Sequence, residues 1–295
     1  MKERQGTTIL GDLGSDLERL GRRGSFLPFV THLRLFMGEL VFIGLGLYDE
    51  RDLTLRALDE ARACDVLFEE SYTSSLRGTT VEKVAETIGK PIHVLQREDV
   101  ESGSVLLQEA ATRRVGFLVP GDPMMATTHV DLRMRAESAG IHTRLVHGSS
   151  VLTAAIGLTG LQAYKFGRTT TVPIPEKGFR PRSPVEVIAA NRAAGLHTLV
   201  LLDLKEDGRF LTANEAIRYL MEVGGEDFPP RTLVCAVGNV GSPHPVVRAD
   251  WAERLAARDL GPPLHCLIVP GSLHFAEREA LVRFTAAPED ALPPA

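Results

Sequence analysis

The chain has 295 residues, 44% of them hydrophobic and 24% charged, with a formal net charge of -5. Those proportions exclude disordered, collagen-like and disulfide-scaffold classes, and the acidic balance argues against nucleic acid or an anionic membrane as partner. At about 100 to 200 residues per domain the length suits two domains, with small molecules or another protein as partners.

Residues 1–36 do not fit the pattern that follows, and Met37 directly precedes the first apolar run, GELVFIGLG. They are read as an N-terminal extension outside the core, so a chain beginning at Met37 is expected to fold and act normally. From Gly38 onward, β-branched runs alternate with helix-length amphipathic stretches, the pattern of a mainly parallel sheet with helices on its faces. Strands are expected at 40–44, 65–69, 91–95, 115–119 and 142–146. Between them the sequence predicts a helix over 53–64, with Leu55, Leu58 and Ala61 or Arg62 on one face, and another over 81–88 behind a Thr79-x-x-Glu82 capping box. Residues 37–150 thus make one α/β domain. A second, 151–295, is expected to hold strands at 170–174, 198–202, 232–237 and 266–269. Its helices are placed at 185–194 and 215–223, the latter announced by the Thr212-x-x-Glu215 box of TANEA. The proline-rich segment 173–184 is a loop.

Four strings could carry chemistry. VFIGLGLYDERD ends a buried strand in a Gly44-x-Gly46 turn, where a ligand can approach the backbone closely. The dinucleotide fingerprint would want glycine at position 49, where this chain has Asp49, and a carboxylate there repels a pyrophosphate. FLVPGDPMMATTH places Asp122 beyond the carboxyl end of a parallel strand, where open α/β sheets bind ligands, although an Asp in a turn also bonds its own backbone. Met124 and Met125 offer either a soft wall or plain core. In HGSSVLTAAIG, Ser149 and Ser150 either cap the next helix or face a cleft between domains. The last string holds His265 and His274, more simply read as structural histidines than as catalysts. Cys64, Cys235 and Cys266 lack metal or redox spacing and read as buried thiols of a reducing compartment. No GxSxG elbow, metal-ligand cluster, membrane-length apolar run or secretory signal is visible, which points to the cytoplasm.

Taken together, GLGLYDERDLT, EESYTS, GTTVEKVAETIGK, VLQREDVE, PGDPMMATTH, TGLQAYKFG, GLHTLVLLDLK, TANEA and VPGSLHFAEREAL, in this order and spacing, resemble the diphthine synthase family. The resemblance runs from about Met37 to Leu281 and extends, more broadly, to the tetrapyrrole methylase-like class of S-adenosylmethionine methyltransferases. It implies two α/β domains with the cofactor in the cleft between them, commonly as a homodimer. It also implies methyl transfer from S-adenosyl-L-methionine, leaving S-adenosyl-L-homocysteine, to the amino group of an aminocarboxypropyl arm on one histidine of translation elongation factor 2. Archaeal members are expected to give the trimethylammonium product, diphthine, in diphthamide biosynthesis. Carried over position by position, the cofactor contacts implied are Leu47, Asp122, Met125, Ser150, Val151, Leu202, Val240 and His265, with no metal. The string around Val240 is divergent, and His265 opens its strand rather than ending it. GFRPRSP and YKFGR are candidate docking segments for the protein substrate. The alternatives are a methyltransferase of the same class acting on a corrin or porphyrin precursor, and a non-catalytic nucleotide-binding module.

Overall fold

A computed structural model describes residues 38–70, 75–176, 178–204 and 208–293. The expectations about residues 1–36 and most of the EESYTS string lie outside the described residues. Residues 38–293 belong to a single compact unit holding two five-stranded sheets.

The first sheet uses β1 (Glu39–Gly44), β2 (Val66–Glu70), β3 (Ile92–Leu95), β4 (Arg114–Val119) and β5 (His142–Val146). Its order is β3-β2-β4-β1-β5, and every pairing is parallel. Helices α1 (Leu55–Ala63), α2 (Val81–Ile88), α3 (Arg97–Ser102), α4 (Ser104–Ala110) and α5 (His129–Ser138) connect the strands. Because side chains alternate across a strand, β1 buries Leu40 and Phe42 on one face and Val41 and Ile43 on the other. Both faces are therefore covered, as parallel sheets require. On one of them the Phe42 and Phe117 rings pack edge to face, 5.9 Å apart.

Two helix details differ from expectation. Ala61 is buried and Leu58 packs against the core as expected, but Leu55 is 82% exposed, and the inward face of α1 also carries Ala57 and Glu60. Glu60 is admitted to that face because Arg114 and Arg144 neutralise it, the latter at 2.8 Å. Helix α2 spans the expected residues, but its cap is Thr80 rather than Thr79: Thr80 Oγ1 accepts the Lys83 N–H at 3.4 Å.

After α6 (Val151–Thr159) the chain enters the second sheet: β6 (Thr170–Val172), β7 (Thr198–Leu202), β8 (Leu233–Gly238), β9 (Val246–Trp251) and β10 (His265–Val269). The order is β6-β7-β10-β8-β9. Only β6 and β7 run parallel; β10 is antiparallel to both its neighbours, and β9 is antiparallel to β8. The mainly parallel expectation holds for the first sheet and fails for the second. Helices α7 (Ser183–Ala193), α8 (Ala213–Gly224) and α9 (Ala252–Leu255) cover one face, while α6 and α10 (Phe275–Thr285) cover the other. The TANEA capping box forms as expected: Thr212 Oγ1 accepts from Glu215 N–H at 3.2 Å, and Glu215 accepts from Thr212 N–H at 2.9 Å.

Several strings of the resemblance meet at one buried carboxylate. Glu277, 1% exposed, accepts from the N–H of Gln162 (2.9 Å) and of His274 (2.9 Å), from Lys165 Nζ (2.5 Å) and from His197 Nε2 (2.9 Å). His197 in turn accepts the Gly271 N–H on Nδ1 at 2.9 Å, so its proton sits on Nε2 and the ring is neutral. YKFG, GLHTL and SLHFAE therefore form one structural junction. Burial alone would raise the Glu277 pKa, but the His274 N–H, Lys165 and the other donors outweigh it and hold the carboxyl down at about 2. A depressed carboxyl stabilises the fold above its unfolded pKa and loses that contribution as pH falls through the folded value. Glu277→Gln is expected to cost about 3 kcal/mol at neutral pH, because it leaves Lys165 unpaired. In urea titrations the variant should also lose the part of the decline in stability that falls between about pH 4.5 and pH 2; an unchanged profile would contradict the assignment.

Candidate active site

The ends of three parallel strands come together where glycine removes every side chain. Gly46 and Gly121 exchange backbone hydrogen bonds, 3.2 Å from Gly46 N to Gly121 O and 2.6 Å in the other direction. A Cβ added to Gly44 would lie 2.5 Å from the Gly148 nitrogen and 2.7 Å from the Gly121 oxygen, and one added to Gly148 only 2.3 Å from that same oxygen. Both Gly46 (φ +85°) and Gly121 (φ +77°) take the left-handed conformation that their turns require. The loops leaving β1, β4 and β5 are thus held together at the backbone.

Beside this junction a cavity of about 670 Å³ opens between the two sheets. The first sheet contributes Gly46 to Tyr48, Val119 to Asp122 and Met125 to Thr128, and the amino end of α6 contributes Ser150 to Leu152. The second contributes Leu201 to Leu204, Asn239, Val240 and Leu264 to Cys266. All eight residues implied by the family resemblance, Leu47, Asp122, Met125, Ser150, Val151, Leu202, Val240 and His265, line this one cavity. The two that looked out of place have a topological explanation. Because β10 runs antiparallel to β7 and β8, its first residue sits where its neighbours end, with His265 paired opposite Gly238. Val240 follows β8 directly, between Asn239 (φ +50°) and Gly241 (φ +91°).

The polar groups are firmly held. Asp122, 7% exposed, accepts the Met124 N–H on Oδ1 at 3.0 Å, the turn bond, while Oδ2 lies 2.7 Å from His147 Nδ1. Ser150 caps α6 by accepting the Leu152 N–H at 3.2 Å. His265 accepts from the Ala213 N–H on Nδ1 (3.3 Å) and donates from Nε2 to the Leu260 carbonyl (3.1 Å). Burial lowers its pKa against the opposing effect of that carbonyl, so the ring is a neutral, satisfied structural group as well as a wall of the cavity. Of the two methionines, Met124 packs against the core and Met125 faces the cavity.

Asp49 does not line the cavity; it caps the Arg51 N–H at 3.0 Å and pairs with the Arg51 side chain at 2.6 Å. Asp52 gathers the N–H groups of Leu47 (3.0 Å) and Tyr48 (2.7 Å), which sets the course of the YDERD loop past the cavity. Burial pushes the thiols of Cys64 up to about 11 and of Cys235 and Cys266 up to about 12, so all three are inert at neutral pH, as expected of buried cysteines. In the candidate docking segments, Arg180 pairs with Glu222 and Arg182 with Asp227, each at 2.6 Å, while Lys165 is spent on Glu277.

Sequence reasoning missed Tyr48, Arg77, Arg97, Asp203 and Asn239, which also line the cavity. Arg97, Asp203 and Asn239 each lie within two residues beyond the carboxyl end of a predicted strand and so carried a positional signal, whereas Arg77 carried none. Among the described residues no group of His, Cys, Asp and Glu could hold a metal ion, and no helix is long and apolar enough to cross a membrane.

Comparison with known proteins identifies the class. Residues 39–255 match the model of the tetrapyrrole (corrin/porphyrin) methylases, and the chain belongs to this family of methyltransferases. Within it the chain groups with the diphthine synthases. It is 46% identical to the diphthine synthase of Methanosarcina acetivorans over 257 residues, 84% of this chain and 97% of that protein. Against the diphthine synthase of Methanosphaerula palustris it is 47% identical over 246 residues, 83% and 98% of the two chains. A crystal structure of a diphthine synthase superposes with a TM-score of 0.80 at 38% identity, covering 86% of this chain and 98% of that one.

The glycine junction is open to a direct test. Gly148→Ala is expected to lose about 1–3 kcal/mol in urea unfolding, the usual cost of overpacking. Gly157→Ala, in α6 with nothing within 4 Å of the added carbon, should be neutral or stabilising. Equal stabilities for the two variants would contradict the account.

Proposed function

We propose that this enzyme transfers methyl groups from S-adenosyl-L-methionine to the amino nitrogen of the aminocarboxypropyl arm on one histidine of translation elongation factor 2, yielding diphthine in diphthamide biosynthesis. The observation that carries the reading is the convergence of all eight family-implied contact residues on one cavity, joined to kinship with diphthine synthases along nearly their whole length. The same reading makes the enzyme a cytoplasmic homodimer of two domains, 37–150 and 151–295, with the cofactor between them.

The residues present fit such a cofactor. The cavity volume lies within the usual range for small-molecule sites, and the glycine junction offers bare backbone at its base. Asp122 would accept from ligand hydroxyl or amino groups, its carboxylate already oriented by Met124 and His147. Ser150 and Val151 present the start of helix α6, while Leu47, Met125, Leu202 and Val240 supply apolar walls. When bound, the cofactor supplies a methyl carbon activated by its sulfonium centre. The protein's task is then to hold the attacking nitrogen in line with that carbon and to exclude water, which is catalysis by positioning. His265, with both ring nitrogens engaged by backbone, is not the base. The amine must be neutral to attack, and desolvation between the two sheets lowers its pKa in that direction.

Mass spectrometry of elongation factor 2 bearing the unmethylated arm, after incubation with this enzyme and S-adenosyl-L-methionine, tests the proposal. The expected result is a gain in multiples of one methyl group on the modified histidine. No gain, with S-adenosyl-L-homocysteine still bound in calorimetry, would point to a tetrapyrrole acceptor instead. No binding would refute the cofactor assignment.

A further inference from the structure

Among the charged side chains that line the cavity, one has neither a hydrogen-bond nor an ion-pair partner among the described residues. Besides Tyr48 and Cys266, the charged or titratable side chains that line the cavity are Arg77, Arg97, Asp122, Asp203 and His265. Asp122 is taken by the Met124 N–H and by His147. Asp203 accepts the Leu204 N–H on Oδ1 at 3.0 Å and the Ile174 N–H on Oδ2 at 3.2 Å. His265 is neutral, and Arg97 is paired with Glu101 at 2.6 Å. Arg77 alone has no carboxylate partner among the described residues. Its guanidinium carbon stands 5.3 Å from the centre of the Phe210 ring, so the side chain reaches from the first-sheet side of the cavity to a loop of the second.

Its backbone is fixed as well. The next residue, Gly78, donates its N–H to the Tyr48 carbonyl at 2.9 Å and packs so closely on the Tyr48 ring that an added Cβ would lie 2.4 Å from it. Arg77 thus projects from a loop anchored to the YDERD segment, with its guanidinium over an aromatic ring and no carboxylate among the described residues taking its N–H groups. That is the posture in which arginine binds a carboxylate through two parallel hydrogen bonds.

We propose that Arg77 is a specificity-determining residue that binds the α-carboxylate of the acceptor's aminocarboxypropyl arm. This inference rests on the acceptor named above, whose carboxylate is attached to the same carbon as the nucleophilic amine. Gripping the carboxylate places the amine, and a fixed cation nearby disfavours the ammonium form, adding to the effect of desolvation. The enzyme would accordingly bind less tightly an otherwise similar arm that lacks the carboxylate, because the charge-assisted pair is then not made. The cofactor's methionine end carries the same chemical group, and the test separates the two sources.

The test compares wild-type enzyme with Arg77→Gln and Arg77→Lys, using elongation factor 2 bearing the unmethylated arm as acceptor and S-adenosyl-L-homocysteine as the calorimetric probe. Arg77→Gln is expected to raise KM for the factor by about 10- to 100-fold, the loss of one charge-assisted pair, with the affinity for S-adenosyl-L-homocysteine unchanged. Its kcat/KM profile should move to higher pH. Arg77→Lys, which keeps the charge but not the fork, should keep the wild-type pH profile and recover only part of KM. An unchanged KM in Arg77→Gln would overturn the inference. So would a matching loss of affinity for S-adenosyl-L-homocysteine, since Arg77 would then serve the cofactor. A wild-type enzyme that leaves the factor unmethylated would sink the proposed acceptor itself, and a methylating enzyme indifferent to Arg77 only the present inference.

Discussion

The close approach of Gly44, Gly121 and Gly148 is the constraint on which the site depends. Strands β1, β4 and β5 are parallel neighbours, and their carboxyl ends would normally diverge into side-chain-bearing loops. With glycine at each crossing the loops touch backbone to backbone instead, and the reciprocal bonds between Gly46 and Gly121 lock them. Asp122 and Met125 on one loop, Leu47 on another and Ser150 on the third are brought to a common wall by that junction. The geometry is stiff, because hydrogen-bonded backbone at such distances has no rotamer to yield.

The second sheet completes the cavity by a different device. A wholly parallel sheet would send the start of β10 to the far side of the molecule. Reversing it sets Leu264 to Cys266 beside the ends of β7 and β8, so three strands of mixed sense present their termini to the same opening. The buried Glu277 junction anchors α10 to the loops around Lys165 and His197, and it explains why several strings of the family resemblance contain charged residues that do no chemistry. Arg77, by contrast, is an unspent charge next to a ligand-sized space.

Much of the fold was legible because each buried parallel strand announces itself as a β-branched run. The helix at 81–88 and the strands at 142–146 and 198–202 were placed to the residue, and the TANEA box formed as written. Strand β9 escaped because VVRADW alternates Arg248 and Asp250 with apolar residues and has the polarity of a loop. The sense of β10 was not legible, since a strand buried on both faces reads the same in either direction. The face of α1 was legible only in part: Leu58 and Ala61 pack inward, but Glu60 is buried by partners distant in sequence, Arg114 and Arg144. As for the site, Gly44-x-Gly46 and the Asp122 turn were visible as local signals, whereas Val240 and His265 became intelligible only through the sheet topology. Arg77 left no trace, because a lone arginine in a loop has no spacing to read.

The central claim is that the junction and the reversed sheet together build an S-adenosyl site. A crystal structure of this enzyme with S-adenosyl-L-homocysteine tests it most directly. The account predicts the ligand between the two sheets, touching Asp122, the start of α6, Leu202 and the first residues of β10. Ligand density elsewhere on the molecule, with this cavity filled only by water, would contradict it.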